Sequence, residues 1–136
     1  MRPLLLALAG LAAAAMAGSP ARAEPDRYDQ IERGRYLATV GDCTACHAGS
    51  GIAPGMPGYS SQGFAGGRAI ETPFGQIRAA NITPDRETGI GTWTAEDFYR
   101  AMHEGRAADG TQLYPAFPYT YYTRVRREDS DAIFAF

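Results

Sequence analysis

Two thiols and an imidazole fall within five positions of one another, as Cys43, Cys46 and His47 in the stretch GDCTACHAGS. On a helical turn, residues three and four apart share a face. Cys43 and Cys46 would then reach the two vinyl groups on one edge of a haem and form thioethers with them. His47, four positions after Cys43, lies on that face and offers a nitrogen to the iron as proximal ligand. The C-x-x-C-H spacing is the attachment pattern of c-type haem. Other uses of such residues fit less well. A disulfide suits an exported chain, but the ring closed by C-x-x-C is strained. A thioredoxin-like redox pair wants a strand before it and a βαβ context, whereas a helical pattern precedes this one. A structural zinc site needs four ligands, and the chain holds only 2 Cys and 2 His in all. One covalently bound haem c is therefore the expected cofactor.

Several elements must position that cluster. Asp29 to Val40 read as a helix, with Ile31, Gly34, Leu37 and Ala38 on one face. Gly34 weakens a helix unless a second backbone passes close. Gly41 is the expected helix stop. Residues 48–91 are rich in Gly, Pro and Ser without sustained periodicity. Within them FGQIRAANITPD has room for a short extended piece. So long a loop in a compact domain implies that it wraps a bound group. Thr94 to Asp97 form a capping box, opening a helix that runs to about Glu104 and stops at Gly105. Phe98, Ala101 and Met102 share one of its faces, Tyr99 and His103 another. A last helix of about two turns begins near Glu128 and supplies Ile133, Phe134 and Phe136. A helix that short is marginal alone, so a truncated last helix is expected.

The chain has 136 residues, 45 % of them apolar and 21 % charged, which suits one small packed domain. Its first 23 residues read as a signal peptide: Arg2, an apolar run from Leu4 to Ala17, and an Ala21-Arg22-Ala23 cleavage site. The mature domain is then 24–136, in the periplasm. That segment carries 11 basic residues, all Arg, against 15 acidic ones, with no basic patch. This excludes a nucleic-acid binder. A chain this small and loop-rich has little helix–helix core. A flat apolar cofactor supplies the missing interior, and Phe64, Phe74, Trp93, Phe98, Tyr114 and Phe117 are expected to line it.

The stretches ERGRYLATVGDCTACH, FAGGRAIETPFG, NITPDRETGIGTW and DGTQLYPAFPYTYYT, in that order, span nearly the whole mature chain. Together they resemble the cytochrome c subunits of bacterial membrane-bound alcohol, aldehyde and gluconate dehydrogenases, and in particular their first haem domain. The resemblance implies an all-α cytochrome c fold in which N- and C-terminal helices cross, with Gly34 at the crossing and Phe134 as its partner. It implies an electron-transfer subunit rather than a catalyst. Such a subunit takes electrons from a dehydrogenase partner and passes them toward quinone or an oxidase, at the membrane through its partner subunits. Many members read YPAMPY, and that Met is the sixth iron ligand. Phe117 stands there in this chain. His103 becomes the candidate sixth ligand, with Met102 and then Met56 as alternatives. An open sixth position would instead make a small-ligand binder or a peroxidase-like protein.

Overall fold

The computed structural model describes residues 26–49 and 63–136. The expected signal peptide and Met56 lie outside the described residues. The described elements are five helices and one two-stranded antiparallel sheet: α1 (Arg27–Val40), α2 (Cys43–His47), β1 (Ala69–Thr72), β2 (Gly75–Arg78), α3 (Ala95–Glu104), α4 (Tyr119–Tyr122) and α5 (Arg127–Ala135). The hairpin departs from an expectation of helices and loops alone, although its second strand falls in the piece expected to be extended. β1 and β2 pair from Ala69↔Arg78 to Thr72↔Gly75. The turn is held by Thr72, whose Oγ1 accepts from the Phe74 N–H at 3.2 Å and donates to the Gly75 carbonyl at 2.5 Å.

Helices α1, α3 and α5 form the frame. Asp26 caps α1, its carboxylate accepting from the Tyr28 N–H. Gly34 and Ala38 are the residues that α1 buries. A Cβ on Gly34 would stand 1.9 Å from the Ala132 carbonyl oxygen of α5, so only glycine permits this contact. Its partner is therefore Ala132, 1 % exposed, with the Phe136 Cβ beside it. Phe134, the expected partner, turns instead to Phe98 of α3, with ring centroids 5.4 Å apart. Arg33 of α1 donates to Asp129 of α5 through Nε at 2.8 Å and also through Nη2. Burial pushes the Asp129 carboxyl up, but hydrogen bonds from Arg33 and Arg126 outweigh it and hold it below the usual range. Arg127 of α5 reaches Glu96 of α3 and lies over the Tyr99 ring, 5.1 Å from its centroid. The short last helix is thus tied to both other frame helices.

The capping box of α3 forms as its sequence implies: Asp97 N–H donates to Thr94 Oγ1 at 3.1 Å, and Thr94 N–H donates back to Asp97 Oδ2 at 2.9 Å. Gly105 closes that helix at φ 65°, the left-handed region that favours glycine. Gly41 ends α1 in a right-handed conformation, and the left-handed residue at that corner is Asp42, at φ 52°. The sharp corner at Asp42 starts α2 immediately.

Candidate haem-attachment site

The chemistry-bearing cluster occupies one short helix. Cys43 is half-buried, Cys46 is exposed, and no disulfide joins them. Burial pushes the Cys43 thiol above its ordinary range. Among the described residues no three His, Cys, Asp or Glu side chains converge on a common metal position. The three groups are therefore spread along a helical turn and do not close around a single ion. That arrangement suits a broad cofactor held at separate points.

The stem of the hairpin fixes His47. Its Nδ1 lies 2.8 Å from the Ala80 carbonyl oxygen, just past β2. The His47 carbonyl in turn accepts from the Gly66 N–H at 2.8 Å, just ahead of β1. Gly67 bridges to Gly49 across the same seam. An Nδ1–H donated to a carbonyl sets the tautomer that leaves Nε2 with its lone pair. Nε2 has no hydrogen-bond partner among the described residues. The Asn81–Gly91 loop holds this carbonyl segment in place. Asn81 Oδ1 accepts from Thr83 N–H at 2.9 Å, and Asp85 Oδ1 accepts from the N–H groups of Glu87 and Thr88. The Thr88 N–H and hydroxyl, with the Glu87 N–H, keep the Asp85 carboxyl below the usual range.

Cys43 opens into a cavity of about 190 Å³ between α1, α3 and the α4–α5 segment. Leu37, Val40, Met102, Tyr122, Val125 and Ile133 supply most of its wall. The lining is mostly apolar, and its one carboxylate, Asp129, is paired with Arg33 and Arg126. Two thiols, an imidazole with one nitrogen oriented and the other without a partner among the described residues, and an apolar recess beside the first thiol fit a covalently attached haem.

Similarity to known proteins points the same way. No protein-family model matches the chain. The fructose dehydrogenase cytochrome subunit of Gluconobacter japonicus is 42 % identical over 132 residues, which cover 97 % of this chain and 25 % of that protein. The gluconate 2-dehydrogenase cytochrome c subunit of Pantoea cypripedii is 46 % identical over 106 residues, 78 % and 22 % of the two chains. A nicotinate dehydrogenase chain of Pseudomonas putida is 47 % identical over 106 residues, 78 % of this chain and 8 % of that one. The chain is homologous to dehydrogenase cytochrome subunits. It spans a quarter or less of the length of these three relatives.

The remaining candidates of this cytochrome relative are placed less simply. His103, expected to face His47 across an iron, has both ring nitrogens at backbone carbonyls. Nδ1 is 3.0 Å from the Tyr99 oxygen in its own helix, and Nε2 is 2.8 Å from the Val125 oxygen ahead of α5. Its ring stacks on Tyr99 at 3.9 Å. As placed, each His103 nitrogen faces a carbonyl oxygen, and the ring lies between α3 and the approach of α5. Met102 is buried and borders the cavity together with Cys43. Phe117 stacks on Tyr122, with centroids 5.5 Å apart and planes at 16°.

Tyr122 is the residue that sequence reasoning missed. It borders the cavity, and its hydroxyl donates to the Gly41 carbonyl at 3.3 Å. Burial pushes its phenol up, and negative charge on Cys43 and Cys46 would push it further. One signal was available: Tyr119, Tyr121 and Tyr122 crowd into four positions beside Phe117. None of the six aromatics expected to line a haem borders this cavity. Phe74, at the hairpin tip, is 91 % exposed, and Tyr114 is exposed as well. Phe64 packs edge-on against Phe136.

Proposed function

We propose that this chain is an electron-transfer cytochrome with the cytochrome c fold, carrying one haem c linked through Cys43 and Cys46 and bound at its iron by His47 Nε2. The observation that carries this is the turn Cys43–His47 with His47 Nδ1 anchored on the Ala80 carbonyl. That anchor presents one nitrogen outward beside two free thiols. When bound, haem supplies a one-electron couple. The chain's own residues attach it, orient the axial imidazole and surround it with hydrocarbon. Leu37, Val40, Met102 and Ile133 keep water from one side of the recess, which favours a raised potential.

The relatives belong to dehydrogenases, which supports the catalytic subunit of a dehydrogenase as electron donor. Quinone or a terminal oxidase is the proposed acceptor. Export to the periplasm, with cleavage after Ala23, places attachment and relay in one compartment. No described helix is long and apolar enough to cross a membrane.

The test is a redox titration of protein matured with the c-haem attachment machinery, followed through the visible spectrum. A single reversible one-electron transition is expected, together with reduction on mixing with a substrate-loaded dehydrogenase subunit. A haem-loaded protein that no dehydrogenase subunit of this group reduces would remove the relay reading and leave attachment standing.

A further inference from the structure

The recess that has Cys43 in its wall is lined mostly by apolar side chains and has one carboxylate, Asp129. That side chain is 14 % exposed, against 47 % for Arg33 and 62 % for Arg126, the two arginines that hold it. Arg33 donates from α1 through Nε at 2.8 Å and also through Nη2. Arg126 donates through Nε at 3.2 Å from the start of α5. Neither guanidinium borders the recess. The carboxylate therefore stands on the inner side of the pair, and the cations stand on the solvent side, where screening is stronger. An ion pair that only tied α1 to α5 could sit anywhere along the contact between the two helices. This one sets its negative member in the wall that Cys43 shares. Glu128, the residue before it, is exposed and meets Arg126 at the surface.

We infer that Asp129 tunes the redox couple of this chain: its negative charge holds the potential down, and Arg33 and Arg126 limit how far. This rests on the haem attachment proposed above, since a haem tethered at Cys43 has one edge at the wall that Asp129 shares. Oxidation of the couple removes one electron, adds one positive charge, and neither forms nor breaks a bond. A carboxylate nearby favours the oxidised form by Coulomb attraction, which is felt more strongly across hydrocarbon than across water. The apolar lining acts the other way, because it disfavours the added charge. Asp129 therefore trims a potential that the rest of the wall raises. The arginines have two effects on it. Their hydrogen bonds favour its ionised form, and their charges offset part of its field. Removing the anion and removing a cation must then move the potential in opposite directions, although both changes break the same tie between α1 and α5.

The experiment is a redox titration of haem-loaded full chain, with Asp129→Asn, Asp129→Glu, Arg33→Gln and Glu128→Gln beside wild type, and urea unfolding of each. Asp129→Asn is expected to shift the midpoint potential upward and Arg33→Gln to shift it downward. Both are expected to unfold at lower urea than wild type, so a purely structural role predicts no split in sign. Asp129→Glu keeps the charge and is expected to stay nearer to wild type in potential than Asp129→Asn. Glu128→Gln removes the same unit of charge at an exposed neighbouring position. Its shift is expected to be smaller and to fade at high salt, while that of Asp129→Asn persists. Potentials of Asp129→Asn and Arg33→Gln that move in the same direction would overturn the inference. So would a shift in Asp129→Asn no larger than that in Glu128→Gln. Where one of the two pair variants does not fold, the other decides: Asp129→Asn at or below wild type, or Arg33→Gln at or above it, overturns the inference. Wild type with no covalent haem after denaturation would fail the attachment reading and the inference with it, whereas the potentials fail the inference alone.

Discussion

The chain contains two histidines, and the structure treats them in opposite ways. His47 has one nitrogen at a carbonyl, and its other has no hydrogen-bond partner among the described residues. His103 has a carbonyl oxygen within 3.0 Å of each nitrogen, and a neutral ring donates to just one of them. The difference lies in what surrounds each ring. His47 ends a five-residue helix and meets a single strand of backbone, at Ala80. His103 sits in the last turn of α3, one turn from the Tyr99 carbonyl and against the segment leading into α5. An imidazole becomes a metal ligand through the nitrogen its neighbours leave alone. A second histidine at a plausible spacing is therefore not yet a second ligand.

The contrast can be broken or sharpened by substitution. The largest effect is expected from His47→Ala in haem-loaded protein, which removes the open nitrogen. The visible spectrum and potential should both change, and adding free imidazole should restore the spectrum in part. His103→Ala should leave the spectrum as it was. It should lower stability by about 1–3 kcal/mol in urea unfolding, because it strips the donor from the Val125 carbonyl. A changed spectrum in that variant would break the contrast outright.

Next is the frame that keeps the two histidines apart. Gly34→Ala drives a methyl into the Ala132 carbonyl, where 1.9 Å is available. Overpacking of this kind costs roughly 1–3 kcal/mol, offset by up to about 1 kcal/mol of helix propensity. A net loss in the urea midpoint is expected. A stabilised variant would mean that α1 and α5 do not meet there.

Asp129→Asn should cost about 1 kcal/mol at neutral pH, with a defined pH dependence. The folded carboxyl is held low by Arg33 and Arg126 against the effect of burial. Its contribution is complete above the ordinary carboxylate value of about 3.9. It is lost as pH falls through the lower folded value. Wild type and variant should converge in acid, so a gap that widens on acidification would contradict the pairing. The smallest change is Thr94→Ala, which removes the cap of α3 and should cost about 1 kcal/mol in thermal unfolding, with no spectral effect.

The local features were legible in the sequence. The C-x-x-C-H turn, the Thr94–Asp97 capping box and the Gly105 stop each depend on residues a few positions apart, and each stands where its spacing implies. The role of Gly34 as a close-approach point was also readable, since a glycine inside a helix asks for a reason. Its partner was not. Whether Ala132 or Phe134 faces α1 depends on the rotation of a two-turn helix, which short apolar spacing does not define. The hairpin was hidden for a similar reason. Its strands are four residues each, too short for alternation to show through, and a side-chain-to-backbone bond at Thr72 holds the turn. The contacts of His103 and Tyr122 were not readable because they depend on carbonyls 22 and 81 positions away. No pattern in side-chain type reports a long-range backbone acceptor.

The most direct test of haem attachment at Cys43, Cys46 and His47 is the intact mass of chain matured in a periplasm competent for c-haem attachment, measured after full denaturation. The expected result is a polypeptide heavier by one haem, with the added mass on the peptide spanning Cys43 to His47 and absent from a Cys43→Ser, Cys46→Ser double variant. A denatured chain of unmodified mass, from cells that attach haem to a control cytochrome, would contradict it.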